Sequence, residues 1–277
     1  MSMAILRTAA LLGLLTAILL AIGFLFAGTG GMTIALIFAL MINFLTYWFS
    51  DKIVLSMYRA KPTNDRKLNS IVEKVAKEAG IPKPKVYIVP NNSPNAFATG
   101  RSPDHSSIAV TQGLLDRLDD DEIEGVLSHE LSHIKNRDTL VSTLAATIAG
   151  SISYVAQIGL LGLSSRDREG GNILLLPLVI LAPLAAMLVQ LAISRGREFF
   201  ADYTGAMISK KPLALASALE KISSYVDRNP MKGSSATSHL WIVNPFKGSS
   251  FASLFSTHPN VESRIQKLKE LARTLKS

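Results

Sequence analysis

Two apolar runs in immediate succession, Thr8 to Ala27 and Thr33 to Ser50, constrain this chain more than any other feature. Each is long enough to cross a hydrocarbon core about 30 Å thick. A backbone placed in lipid has to satisfy its own polar groups, so such runs fold as helices. Only Gly28 to Met32 separates the two, which predicts a tight helical hairpin. A cleaved signal peptide is the alternative for the first run, and a second run following at once argues against it. Two further runs, Leu140 to Leu163 and Asn172 to Ile193, are joined by the polar stretch Ser164 to Gly171. The third carries Thr143, Thr147, Ser151, Ser153 and Gln157, which weakens the case that it crosses fully. Pro177 and Pro183 in the fourth are tolerable as kinks. The chain is 48% hydrophobic and 18% charged, too apolar for an average soluble domain.

Lys and Arg cluster at one set of helix ends: Lys52, Arg59, Lys61, Arg66 and Lys67 after the second run, Lys135 and Arg137 before the third, Arg195 and Arg197 after the fourth. The positive-inside tendency assigns all of them to the cytoplasm. Basic residues beside anionic headgroups also account for the net charge of +8, so no nucleic-acid partner is needed. There is no cysteine, which excludes disulfides and thiolate metal ligands. The four runs hold no acidic or basic side chain, which makes a transporter reading poor.

Between the runs the pattern becomes that of a folded domain. Leu68, Ile71, Val72, Val75 and Ala79 recur at helical spacing, and Gly80 stops the helix. Lys85–Val89, Asn95–Thr99 and Ser107–Thr111 read as strands, with a turn at Gly100 to Asp104. Asp120 or Asp121 is expected to cap the next helix, with Asp121 and Glu124 spaced as a capping box. That helix carries His129-Glu130-Leu131-Ser132-His133. Residues four apart lie on one helix face, so both imidazoles can address one ion, while Glu130, about 100° round, reaches a water on it. No breaker appears from Glu122 to Leu140. A continuous helix would hold Glu130 about 15 Å above the hydrocarbon edge.

A catalytic zinc site needs a third protein ligand and an open position. Glu198 and Asp202 share one helical face in Arg197-Glu198-Phe199-Phe200-Ala201-Asp202. Glu198 can ligate while Asp202 takes a ring N–H of a ligating histidine; equally, both acids can pair with Arg195 or Arg197 on a surface helix. Asp138 has the same two readings, as histidine partner or helix-end charge. His258 is the candidate donor to the oxyanion, against the plainer role of starting the final helix, Pro259 to Leu275. Arg264 either assists at substrate or pairs with Glu262 or a nearby carboxylate. His105 and His239 sit in loop-like sequence and read as non-ligands. Asn95-Ala96-Phe97-Ala98 offers an edge strand for an extended peptide, although Phe97 fits a core position as well. The stretch from Arg228 to Phe255 reads as a flap or a plain linker.

Taken in order, these elements resemble the HtpX family of membrane-integral zinc endopeptidases, relatives of the CAAX prenyl protease and of the mitochondrial inner-membrane stress protease. The resemblance runs nearly end to end: the N-terminal hairpin, Asn95-Ala96-Phe97-Ala98, His129-Glu130-x-x-His133 through Asp138, Arg197-Glu198-x-x-Ala201-Asp202, and Ser256-Thr257-His258-Pro259 with Arg264-Ile265. It implies one zinc ion per chain held by His129, His133 and Glu198, with Glu130 and His258 catalytic, Asp202 behind the ligands, and Asn95 to Ala98 with Arg264 on the substrate side. The fold class implied is a multi-pass α-helical membrane protein with a cytoplasmic α+β zincin-like metalloprotease domain. Its expected organisation is a transmembrane hairpin over 1–50, protease segments over 51–139 and 194–277, and a second hairpin over 140–193. The implied setting is the bacterial inner (cell) membrane, the lipid bilayer and polypeptide substrates being its partners. The implied work is proteolytic quality control of misfolded membrane proteins under stress, alongside other membrane proteases. A catalytically inactive zinc-binding scaffold is the rival, and intact Glu130 argues against it. A CAAX-type processing enzyme would enclose its site in more membrane helices than four runs supply.

Overall fold

The computed structural model describes residues 3–148, 195–231, 235–246 and 259–275. Helix α1 (Met3–Met57) is two helices joined at a break where Ala27 and Gly28 leave helical geometry. Gly28 takes φ +57°, a conformation that favours glycine. The halves fold back on each other: Asn43 Nδ2 donates to Thr16 Oγ1 at 2.8 Å, and Gly23 and Gly31 approach so closely that a Cβ on either would strike the other's carbonyl. The expected hairpin is therefore present. Its second arm continues seven residues past Ser50, to Met57, where Val54 and Leu55 are already buried in the domain core. Thr8–Leu25 and Ala27–Met57 are both long and apolar enough to cross a membrane. Barely a tenth of either span is buried by protein (12% and 11%), unlike the core helix of a soluble domain.

The domain proper begins with β1 (Lys61–Pro62) and α2 (Arg66–Ala79). Asp65 Oδ1 accepts from the Leu68 N–H at 2.8 Å to cap α2, and Gly80, at φ +70°, ends it. Then follow β2 (Lys85–Val89), β3 (Ala96–Ser102), β4 (His105–Thr111), the short α3 (Gln112–Arg117), α4 (Asp120–Lys135) and α5 (Asp138–Ile148). Beyond residue 194 come α6 (Arg195–Ser209), α7 (Pro212–Arg228), a 3-10 turn (Ser235–Leu240) and α8 (Val261–Thr274). The sheet order is β1-β2-β4-β3, with β2 parallel to β4 and the outer pairs antiparallel, so β3 is an edge strand. The main core is apolar side chains of α2, α4, α7 and the inner sheet face, among them Val72, Ile108, Leu127, Leu131 and Leu219.

Two expectations about α4 need correction. Its cap is Asp119, not Asp120 or Asp121, and the capping box pairs Asp119 with Glu122 through hydrogen bonds of 2.9 and 3.0 Å. Glu124 is unavailable for that role because Lys74 and Lys211 each donate to its carboxylate at 2.7 Å. Nor does α4 run on to Leu140: it ends at Asn136, Arg137 takes φ +60°, and α5 starts in a new direction. The 15 Å height inferred from a continuous helix therefore does not apply. Helix α5 packs Val141, Ala145 and Ile148 against Leu15 of the hairpin, and Thr143 Oγ1 accepts from the Gly100 N–H of β3 at 3.3 Å. The rest of the expected second hairpin, from residue 149 to 193, lies outside the described residues.

Candidate metal centre

His129 and His133 sit one turn apart on α4, their rings nearly perpendicular and 4.8 Å apart. Their Nε2 atoms are 3.3 Å apart. Helix α6 brings Glu198 to the same point, 3.8 Å from His129 Nε2 and 3.5 Å from His133 Nε2. Metal–ligand bonds of 2.0–2.1 Å at tetrahedral angles put ligand atoms about 3.3 Å apart. The three residues thus have the donor types and spacing of a three-ligand zinc site, and they are the one such cluster among the described residues.

Each ligand is held from behind. Asp202, one turn after Glu198 on α6, lies 3.0 Å from His129 Nδ1. Its other contacts are to Arg264 of α8, which donates from Nε and NH2 to the two carboxylate oxygens, both at 2.7 Å. Such a bidentate pair fixes the carboxylate in plane. Arg264 also donates to the Ile242 carbonyl at 2.7 Å and lies 3.5 Å from Glu198. Asp138 stands 3.4 Å from His133 Nδ1 and accepts from Arg197 at 3.1 Å. On an unbroken helix, positions 133 and 138 would diverge by about 140°. The left-handed turn at Arg137 is what brings them together.

The electrostatics are those of a site that expects a cation. Burial opposes charge on His133, but Asp138 and the carboxylates of Glu198 and Glu130 outweigh it and push the ring up to about 9. His129 goes the other way: burial holds it below the ordinary histidine value, only partly offset by Asp202. Burial likewise dominates at Glu130 and raises it to about 7, although His133 and a hydrogen bond from the Ala98 N–H resist. Burial would raise Asp202 too, yet Arg264 keeps it below the usual carboxylate range. A divalent ion between the rings would replace the proton that His133 otherwise carries.

Residues 62–272 match the sequence profile of peptidase family M48. The chain belongs to peptidase family M48. Family membership makes it a metalloprotease, and its relatives agree along their whole length. It is 55% identical to the "Protease HtpX homolog" of Pyrococcus furiosus over 96% of this chain and 95% of that one. The corresponding protein of Aquifex aeolicus is 52% identical over 93% and 90%, and that of Syntrophobacter fumaroxidans 50% identical over 96% and 98%. Among solved structures, Ste24p of S. mikatae superposes with a TM-score of 0.51 at 18% identity. This chain spans 64% of that protein's length, and the likeness concerns the fold alone.

The structure brings His129, Glu130, His133, Glu198 and Asp202 into one M48 site. Glu130 is 2% exposed and lines the same small cavity as the three ligand candidates and Ala98. His258 lies outside the described residues. Arg264 pairs with a nearby carboxylate, the second of its expected roles: it is wholly buried against Asp202, and Glu262 is not its partner. Asn95 and Phe97 are also wholly buried, Phe97 packed against the rings of both Tyr58 and Trp241. Of that segment's side chains, only Ala98 lines the cavity. His105 sits exposed in the β3–β4 hairpin, with Nδ1 3.3 Å from Ser102 Oγ. His239 is outside the metal cluster but forms part of the cavity wall with Thr139, Ser142, Leu240, Trp241 and Ile242. Gly205 was overlooked as well. A Cβ there would stand 2.7 Å from the His129 backbone nitrogen, so α6 packs on the metal helix only because this residue has no side chain. Its spacing from Glu198 and Asp202, on one helical face, was the available signal.

Proposed function

We propose that the chain is a membrane-anchored zinc endopeptidase that cleaves misfolded or damaged membrane proteins at the cytoplasmic face, as part of protein quality control. The observation that carries this reading is the ligand triangle of His129, His133 and Glu198 beside a buried Glu130. Zinc held there supplies a Lewis acid for the scissile carbonyl and lowers the pKa of a water to about 7. Glu130 takes the proton of the attacking water and returns it to the leaving amine. Its raised affinity for a proton, near neutral pH, suits both transfers. Asp202 and Asp138 keep the Nδ1 sides of the two rings occupied, which leaves the Nε2 atoms free to hold a zinc ion when one is bound. Arg264 anchors Asp202. The oxyanion donor is assigned to His258, on the resemblance of its segment to the HtpX family.

The two apolar helices and the HtpX relatives support membrane attachment, and the basic flanks support a cytoplasmic site. Casein cleavage by detergent-purified protein tests the chemistry. Wild type and Glu130→Gln should both hold one zinc, and only wild type should cleave. Zinc in both and cleavage by neither would favour the inactive scaffold.

A further inference from the structure

The free edge of the sheet is already occupied by the chain itself. In β3, Asn95 turns its backbone toward β4, where its carbonyl accepts from the Thr111 N–H at 3.0 Å. By the two-residue period of a strand, the groups that face away belong to Ala96 and Ala98. The Ala96 carbonyl accepts from the Ile242 N–H at 3.1 Å. The Ala98 N–H is on the Glu130 side and favours the charged form of its carboxylate. Both outward groups of Ala96 are thus consumed, its carbonyl by a later segment and its N–H by Asn95 Oδ1 at 3.1 Å.

That segment, residues 237–246, is fastened at several points. Asn95 Nδ2 donates to the Val243 carbonyl at 2.8 Å. Arg264 NH1 donates to the Ile242 carbonyl, and His239 Nε2 donates to the Ser142 carbonyl at 3.0 Å. Trp241 is 1% exposed, stacked edge-on against Tyr58 and Phe97 with centroids 4.8 and 4.9 Å away, and its Nε1 donates to the Tyr58 hydroxyl at 3.2 Å. With Leu240, Trp241 and Ile242 in its wall, the metal cavity measures about 30 Å³. That admits about two waters and no peptide. A substrate added to an edge strand needs the very groups that are spent here.

We infer that residues 237–246 are an own-chain strap that keeps the site latent, and that an extended polypeptide gains the β3 edge by displacing Trp241 to Val243 from the Ala96 carbonyl and the cavity wall. This deepens the endopeptidase reading of the site and rests on it. The test uses the two tryptophans, Trp48 on α1 and Trp241 in the strap. In full-length Trp48→Phe/Glu130→Gln protein with zinc bound, Trp241 is the sole tryptophan, excited selectively over the tyrosines, and no turnover intervenes. A tryptophan-free unstructured peptide, at millimolar concentration, should shift its emission to the red and raise acrylamide quenching severalfold. Emission and quenching unchanged by peptide would overturn the strap. In parallel, Ile242→Pro removes the donor to Ala96. At equal zinc content it should speed cleavage of the same peptide by about 2- to 10-fold at subsaturating concentration, the equivalent of one net hydrogen bond. Equal or slower cleavage by a variant that retains zinc and its melting temperature also counts against the strap. The two readings fail separately: Trp241 exposed by peptide without cleavage by wild type sinks the endopeptidase and leaves the strap standing. Cleavage with Trp241 still buried does the reverse.

Discussion

At the scale of single residues, the site is a balance of buried charges, and removing one member should unbalance it in a predictable direction. Asp202 is held below its unfolded pKa, mainly against burial and by Arg264. A carboxylate of that kind contributes stability above its unfolded value of about 3.9, and the contribution is lost as pH falls through the lower folded value. Asp202→Asn also strands a buried guanidinium, which costs about 3–5 kcal/mol. The variant should therefore melt well below wild type at pH 7, the gap narrowing below about pH 4 as wild type loses the same charge. Melting curves in detergent with a gap independent of pH would contradict this. Zinc affinity should fall by about 10- to 100-fold in the same variant, because Asp202 no longer orients His129. His133 supplies a second pH effect. With its ring pushed up to about 9, it carries a proton at neutral pH that the ion must expel. Zinc affinity should then rise about tenfold per pH unit between pH 6 and 8. Competition with a fluorescent chelator would measure it, and a flat profile would refute the proton release.

At the scale of elements, the ligands are only as well placed as the packing of α4 on α6. Gly205→Ala puts a Cβ 2.7–3.0 Å from backbone atoms of Ser128 and His129, where neither helix can yield through a side-chain rotation. Overpacking of this kind costs about 1–3 kcal/mol, and here the displaced residue is a metal ligand. Melting temperature and zinc content should fall together; normal zinc content in the alanine variant would show that the close approach is dispensable. The contrast with the capping error shows which features a sequence displays. Spacing of four residues on one helix is a local property, so His129 with His133 and Glu198 with Asp202 could each be paired before any coordinates, while the meeting of the two pairs was implied by the resemblance alone. The choice of Asp119 over Asp121 among successive acids goes with Glu124 being claimed by Lys74 of α2 and by Lys211, just ahead of α7. The break at Arg137 had no glycine or proline to announce it, and its reason, the pairing of Asp138 with His133, exists only once the chain has turned. Which carboxylate Arg264 pairs with could not be read locally, because Asp202 lies 62 residues earlier.

At the scale of the whole molecule, the open question with consequences is which side of the membrane the metal centre faces. Hydropathy gives the spans and the excess of Lys and Arg gives a direction, but only the first acts within the described fold: an apolar hairpin whose side chains face outward, continuing without interruption into the domain core at Val54. The hairpin fixes a simple geometric relation. Both its ends emerge on the same side, so the turn at Thr29 and the protease domain must lie on opposite faces if both arms cross. The absence of cysteine makes this measurable with single substitutions in an otherwise thiol-free chain. Thr29 is exposed in the turn, and His105 is exposed at the β3–β4 hairpin, away from the metal ligands. In intact cells with a permeable outer layer, a membrane-impermeant maleimide should label Thr29→Cys and spare His105→Cys, and in inverted vesicles the pattern should reverse. Labelling of both from one side would mean that the hairpin dips into the bilayer without crossing. The reversed pattern would put the metal centre outside the cell, where the Lys and Arg flanking the apolar runs would contradict the positive-inside tendency.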